Sequence, residues 1–318
     1  MPSRPLAVLF AAALLAVPSA PVRAQRAAVA PVIDSAATWR TLSDLAADSM
    51  QGRRIGTHGS AMARALLVQR LTRAGLVPIV PGYQQRFAVS GRDSAVREGV
   101  NVLALVRGAD TSRLLVVSAH YDHVGVRNGD VYNGADDNAS GTAVVLALAE
   151  WYAQHPPRHS MVFAFFDGEE SGLLGSRAFI AAPPVTRARI AADVNLDMVA
   201  RLDKNELYAA GASPYPFFRP LLVATAAGAP VKLLLGHDTN AAGPGENWTG
   251  QSDQGAFQAE GIPWIYFGVE DHPDYHRPTD DVERVNAGRF IASARTIADF
   301  VHRLDGALDT TVPVRAGK

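Results

Sequence analysis

The sequence predicts a single α/β domain, a mostly parallel sheet with helices packed on both faces. Three observations carry this. From about residue 100 onward, apolar runs of strand length alternate with longer runs of helical spacing. No linker long enough to divide the chain interrupts the alternation, and no internal repeat appears, so the 318 residues read as one large core. Several strand-type runs end in His, Asp or Glu, and an open α/β sheet presents its ligand groups at the carboxyl ends of its strands.

Residues 1–24 are set apart. Arg4 precedes a continuous apolar run from Leu6 to Val17, and Val22-Arg23-Ala24 puts small residues where a signal peptidase reads. The run is shorter than the roughly 20 residues a bilayer span takes. A secretory signal cleaved after Ala24 is therefore expected, with no stable membrane insertion afterwards and an exported product. Residues 25–34 read as a flexible Ala- and Pro-rich lead-in, 35–308 as the domain, and 309–318 as a tail.

Within the domain, Trp39, Leu42, Leu45 and Ala46 are spaced as on a helix over 35–48. Gly52-Arg53-Arg54-Ile55-Gly56-Thr57 is turn-rich, and a second helix follows from Gly59 to Ala74, stopped by Gly75. Gln84–Val89 and Asn101–Val106 alternate like half-buried strands. The run from Leu114 to Ala119 reads as a buried strand, and a helix begins near Ser140. Ser160–Phe166, Ile190–Leu196, Glu206–Ala210, Val231–Leu235 and Pro263–Val269 read as strands. Gly172–Ala181, Phe217–Ala227, Ser252–Glu260 and Ala287–Leu304 read as helices. Residues 236–251 form a long polar, Gly-rich loop, a kind often tied to function.

Composition narrows the function. Hydrophobic residues at 48% and charged residues at 19% describe a globular chain, not a disordered one. A net charge of −1 without a basic stripe argues against nucleic acid as a partner. The chain has no cysteine, which excludes disulfides, thiolate ligands and a Cys nucleophile. Any metal must be held by His and carboxylate, a donor set that suits zinc in a hydrolytic site.

His120 and Asp122 lie two apart at a strand end, a spacing that puts both on one side, so the histidine could bind metal while the carboxylate orients it. Alone, they read more readily as a solvated loop histidine and a capping aspartate. Asp136 and Asp137, flanked by Gly134 and Gly141, fit a carboxylate shared by two cations, although one of them would also serve as a helix cap. Asp167-Gly168-Glu169-Glu170 ends an apolar strand, where three acids are costly without partners. One glutamate can bind metal while its neighbour acts as general base. Asp197 ends another apolar strand, and His276 lies in a later loop. Each has an ordinary structural explanation; the weight lies in five segments that each offer a metal-type ligand.

Taken together, His120-Tyr121-Asp122, Gly134 through Gly141, Asp167-Gly168-Glu169-Glu170, Asn195-Leu196-Asp197-Met198 and Tyr275-His276 resemble, in order and spacing, the bacterial zinc aminopeptidases of peptidase family M28. The resemblance covers residues 40–305, and the 52–57 turn is similar to the family's N-terminal part. It implies a three-layer αβα sandwich around a mixed sheet, with two Zn²⁺. It implies that His120, Asp137 and Asp197 hold one ion and Asp137, Glu170 and His276 the other. It implies Glu169 as general base for a water between the ions, Asp122 as a carboxylate behind the ligands, and Tyr275 as an oxyanion stabiliser.

The expected activity is removal of N-terminal residues from peptides. Carboxypeptidases and glutaminyl cyclases share these motifs, and a non-catalytic metal-binding relative is the remaining alternative. Arg201 is a candidate for a substrate carboxylate, and Trp248, Phe257, Trp264 and Tyr266 for an apolar pocket. Gln254 departs from the His many relatives carry. His123 and His237 are read as polar loop residues.

Overall fold

The computed structural model describes residues 30–90, 96–243 and 245–314; the expected signal segment lies outside them. Among the described residues no helix is long and apolar enough to cross a membrane.

The chain opens with α1 (Ser35–Leu45), whose first turn is capped by the Asp34 side chain accepting from the Ala37 N–H. A tight turn leads to α2 (His58–Arg73), capped by Thr57. Then come β1 (Val77–Pro78), β2 (Gln84–Ser90), β3 (Val96–Val106) and β4 (Asp110–His120). A small hairpin, β5 (Gly125–Arg127) with β6 (Asp130–Tyr132), precedes α3 (Gly141–Gln154), β7 (His159–Phe166), α4 (Leu174–Ala181) and β8 (Ile190–Leu196). The chain finishes with β9 (Glu206–Ala210), α5 (Arg219–Gly228), β10 (Lys232–Leu235), α6 (Gln254–Ala259), β11 (Trp264–Gly268) and α7 (Ala287–Thr311).

The main sheet runs β1-β3-β7-β4-β8-β11-β9-β10, with β2 also paired to β3. Its centre, β7-β4-β8-β11, is parallel. Antiparallel pairs lie to either side, β3 against β7 and β9 against β11. The central strands are buried at every position of β7 and β8, which is why they read as nearly unbroken apolar runs. Side chains alternate between two cores. Leu115, Val117, Met161, Phe163 and Phe165 face the larger one, under α1, α2, α3, α5 and α7. Leu114, Val116, Val162, Ala164 and Phe166 face the smaller one, with Phe179 of α4 and Phe257 of α6. Helices on both faces make the expected three-layer sandwich.

Two features differ from expectation. The β5–β6 hairpin was not foreseen; its signal is Asn128-Gly129, both at positive φ (54° and 92°), the pair that a two-residue hairpin turn favours. Helix α7 continues past Leu304 to Thr311, because Leu308 and Val312 also reach the core. The 309–318 tail thus starts inside a helix.

Helix α7 is tied to the start of β7 by polar contacts. Asp305 accepts the N–H groups of Arg158 and His159, both at 2.7 Å. The His159 ring places Nδ1 3.2 Å from Asp305 Oδ1 and Nε2 3.1 Å from Asp309 Oδ2. Burial disfavours the imidazolium, but hydrogen bonds to these two carboxylates outweigh it and raise the pKa above 6.5. A raised folded-state pKa gives stability that is complete below the unfolded value and is lost as pH rises through the folded one. Thermal unfolding of Asp309→Asn should therefore trail wild type most near pH 5–6, by about 1 kcal/mol or less at this partly exposed pair. The gap should narrow at alkaline pH, leaving a constant remainder from the contacts of Asp309 with Arg158 and Arg113. A gap independent of pH would assign the whole effect to the two arginines and none to His159.

Candidate metal centre

Loops at the carboxyl edge of the parallel strands build the site. His120 is the last residue of β4, and Asp197 follows the neighbouring β8. Adjacency brings them together, with His120 Nε2 3.2 Å from Asp197 Oδ1. The same nitrogen lies 3.4 Å from Asp137 Oδ1. The other oxygen of that carboxylate, Asp137 Oδ2, lies 3.0 Å from His276 Nε2, which is 3.2 Å from Glu170 Oε2. Asp137 therefore presents one oxygen to a His120/Asp197 group and the other to a His276/Glu170 group. Glu169 joins the first: its carboxylate and the ligand atoms of His120 and Asp197 all lie within 4.8 Å of one another.

The loops are clipped to each other by main-chain contacts. Gly134 sits in the left-handed region at φ +57°. Gly141 has an ordinary helical φ of −60°; glycine is needed there because a Cβ would lie 2.4 Å from Asn138 Oδ1 and from the Leu196 carbonyl oxygen. Asn138 Nδ2 donates to that Leu196 oxygen at 2.8 Å, fixing the Asp137 loop to the end of β8. Asp280 accepts the N–H groups of Asp136 and Asp137 at 3.1 Å, which attaches the His276 loop to the Asp137 loop. Asp136 accepts from the Ala200 and Arg201 N–H groups and lies 3.2 Å from His272 Nε2, so it ties loops and faces away from the cluster.

Asp122 has two tasks. Its Oδ1 accepts the Glu169 N–H at 3.0 Å. The same oxygen is only loosely placed against His120 Nδ1, at 3.6 Å, and the Asp122 main-chain oxygen is the nearer partner of that nitrogen, at 3.2 Å. Tyr275 stacks on His276 with ring centroids 3.9 Å apart. Burial, then the charges of Asp137 and Asp197, keep its hydroxyl protonated far above the usual range. Gln254 is fully buried, accepts from Asn195 Nδ2 at 2.8 Å and donates to the Trp248 oxygen at 2.6 Å. Its amide joins β8, two residues before Asp197, to the loop ahead of α6.

Of the four pocket candidates, Phe257 and Trp264 are core residues. Trp248 and Tyr266 pack together, and the Tyr266 hydroxyl donates to the Asp197 main-chain oxygen at 3.1 Å. His237 stacks on Trp248 at 3.7 Å, outside the cluster, as expected. Arg201 pairs with Asp274 at 2.7 Å and Asp203 at 3.2 Å, so its charge steadies the His276 loop.

His123 lies in the loop after β4, as read, but it is not solvated. It is fully buried, with Nδ1 2.6 Å from Glu170 Oε1 and 3.6 Å from Asp137 Oδ2. The chain stays buried beyond β4 through Val124, so this loop runs under the site and not over the surface.

Arg53 was also missed, although it stands in the 52–57 turn. Its buried guanidinium donates to four main-chain oxygens: Tyr121 at 2.8 Å, Leu45 at 2.5 Å, Asn133 at 2.6 Å and Gly134 at 3.0 Å. Tyr121 separates His120 from Asp122, and Gly134 starts the Asp137 loop, so one cation holds both. Burial lowers its pKa to about 10, against the opposing pull of Asp137, Asp122, Asp280 and Glu170. Arg53→Met should cost about 3–5 kcal/mol in denaturant unfolding, because four carbonyls lose their donor. A loss below about 1 kcal/mol would show that the carbonyls find other partners.

The charges need a positive partner. Burial, then Glu170, pushes the Asp137 carboxyl up. Burial also raises Glu169 well above 4.5, with His120 opposing and Asp197 adding to it. Burial works the same way on Glu170, but His123 and His276 overcome it and hold that carboxyl below the usual range. Asp122 Oδ2, Glu170 Oε1 and both His123 nitrogens are buried without an aligned hydrogen-bond partner. Clustered carboxylates, imidazoles and unpartnered polar atoms fit borderline-hard divalent cations such as Zn²⁺.

The comparisons agree with this geometry. The family model for peptidase family M28 matches residues 101–301. A probable zinc metalloprotease of Pyricularia oryzae is 34% identical over 193 residues, 57% of this chain and 37% of that protein. Leupeptin-inactivating enzyme 1 of Streptomyces exfoliatus is 32% identical over 200 residues, 61% of this chain and 42% of that protein. The matches thus span less than half the length of these relatives. Among solved structures, a zinc aminopeptidase from Bacillus subtilis superposes with TM-score 0.71 at 16% identity, covering 86% of this chain and 95% of that one. A glutaminyl cyclase from Porphyromonas gingivalis gives 0.72 at 19%, covering 86% and 99%. At such identities the likeness is one of fold. The matched family model and the converged His and carboxylate groups place this chain in peptidase family M28, a family of zinc metallopeptidases.

Proposed function

We propose that this protein is an exported aminopeptidase that holds two Zn²⁺ and hydrolyses the N-terminal peptide bond. The observation that carries the reading is Asp137, whose two oxygens face two separate His/carboxylate groups. His120, Asp137 and Asp197 would hold one ion and Asp137, Glu170 and His276 the other. Bound there, the ions would supply Lewis acidity for the scissile carbonyl and a more acidic water.

The chain supplies the rest. Glu169, its backbone fixed by Asp122, takes a proton from the attacking water and passes it to the amine nitrogen as the C–N bond breaks. Tyr275, kept neutral by its surroundings, donates to the oxygen on which negative charge develops. Arg201 is already paired, which disfavours its use for a substrate's terminal carboxylate. Export rests on the apolar run and cleavage signature of residues 1–24.

Metal analysis combined with a substrate panel tests this. About two zinc ions per chain are expected, with hydrolysis of Leu- or Lys-p-nitroanilide. N-blocked C-terminal glutamyl peptides should be left intact, and N-terminal Gln peptides should not be cyclised. Cyclisation of Gln peptides without anilide hydrolysis would reassign the chain to cyclase chemistry. Two bound ions with no turnover of any of these would mark a binding relative.

A further inference from the structure

We propose that His123 is a fourth protein group at the cation position formed by Asp137, Glu170 and His276, so that the two positions are chemically unequal. The inference rests on the two-cation reading and deepens it.

His123 is fully buried, and neither ring nitrogen has an aligned hydrogen-bond partner. That is costly for an imidazole, which in a core normally donates through one nitrogen or accepts through the other. The buried His159 in this same chain does so. His123 instead aims Nδ1 at the cluster, 2.6 Å from Glu170 Oε1 and 3.6 Å from Asp137 Oδ2. The approach to Glu170 is a close ion pair, but it lies off the line of an N–H hydrogen bond, as it would if both groups were aimed at a cation between them. The His123 and His276 rings are 5.8 Å apart, on the same side of the site. The backbone makes room for this ring: a Cβ at Gly134 would lie 2.5 Å from His123 Cγ and Cδ2. Side-chain-free Gly134 is thus demanded twice, by its φ and by the imidazole beside it. An unpartnered nitrogen among two carboxylates and a second imidazole is a ligand atom in waiting.

The consequence is a division of labour. Three protein groups leave a zinc position open to water or substrate, and four close it. The His120/Asp197 side, with Glu169 beside it, remains the open and reactive one. The Glu170/His276 side becomes the anchoring one.

The test reads metal, not turnover. The chain is stripped of metal and titrated with Zn²⁺ against a chromophoric chelator. His276→Ala identifies which equivalent belongs to the Glu170 side. His123→Ala is expected to weaken that same equivalent by at least about 10-fold and to leave the other within a few-fold of wild type. His123→Asn, which keeps size and polarity, guards against a packing defect. In wild-type chain labelled with ¹⁵N-histidine, the equivalent assigned to the Glu170 side should move the His123 Nδ1 resonance into the metal-bound range, a readout on the unaltered chain. Unchanged affinity in both variants, or an unmoved resonance, overturns the proposal. If wild type takes up two ions and the His123 variants bind them equally, only this inference fails; if wild type takes up fewer than two, the two-cation reading fails and this falls with it.

Discussion

Glu169→Gln is expected to lower kcat by about 10²–10⁴-fold, the usual range for losing a general base, with metal content unchanged and KM within a few-fold. The side chain is placed for that one task. Its carboxylate lies within 4.8 Å of the ring nitrogen of His120 and the carboxylate of Asp197. Its main chain is held by the Asp122 carboxylate, so its position does not depend on a bound ion. Glutamine keeps shape and burial but cannot accept the proton. Single-turnover hydrolysis with zinc quantified on the same sample decides the matter. Wild-type rates from Glu169→Gln would sink the mechanism, and loss of zinc would recast Glu169 as a ligand.

Asp137→Asn is expected to weaken both zinc equivalents by more than about 100-fold, beyond what losing an outer partner costs, and to abolish activity. The reason is sharing: one carboxylate faces both groups, so no compensation from either side is available. His276→Ala should weaken only one equivalent. Without metal, Asp137→Asn should be at least as stable as wild type, because it removes a buried charge that faces Glu170. Chelator competition and denaturant unfolding on one preparation separate these effects. A variant that loses one equivalent and keeps the other would show that Asp137 is not shared.

What could be read from the chain follows the range of the forces involved. The strands of the sheet centre were legible because both their faces are buried, which leaves an apolar signature in consecutive residues. The ligand segments were legible because charge at the end of such a run has few inexpensive explanations. The supports were not, because their partners are remote in sequence: Arg53 works through Tyr121 and Gly134, 68 and 81 residues away. The burial of His123 was not legible either, because a loop residue carries no periodicity that would show which way its ring points. Gln254 could be flagged as a departure, but its role needed the positions of Asn195 and Trp248.

The Arg53 staple sets a minimum size for a working fragment. The family-matched stretch begins at residue 101, whereas the guanidinium that braces the reactive edge enters from nearly fifty positions upstream. Excising residues 101–301 as a minimal unit would leave out that brace together with α1, α2 and the end of α7 beyond residue 301. A protease cut in the 46–56 turn should likewise silence the proposed activity while sparing the five residues proposed to hold the ions, which makes that turn a place to engineer an off-switch.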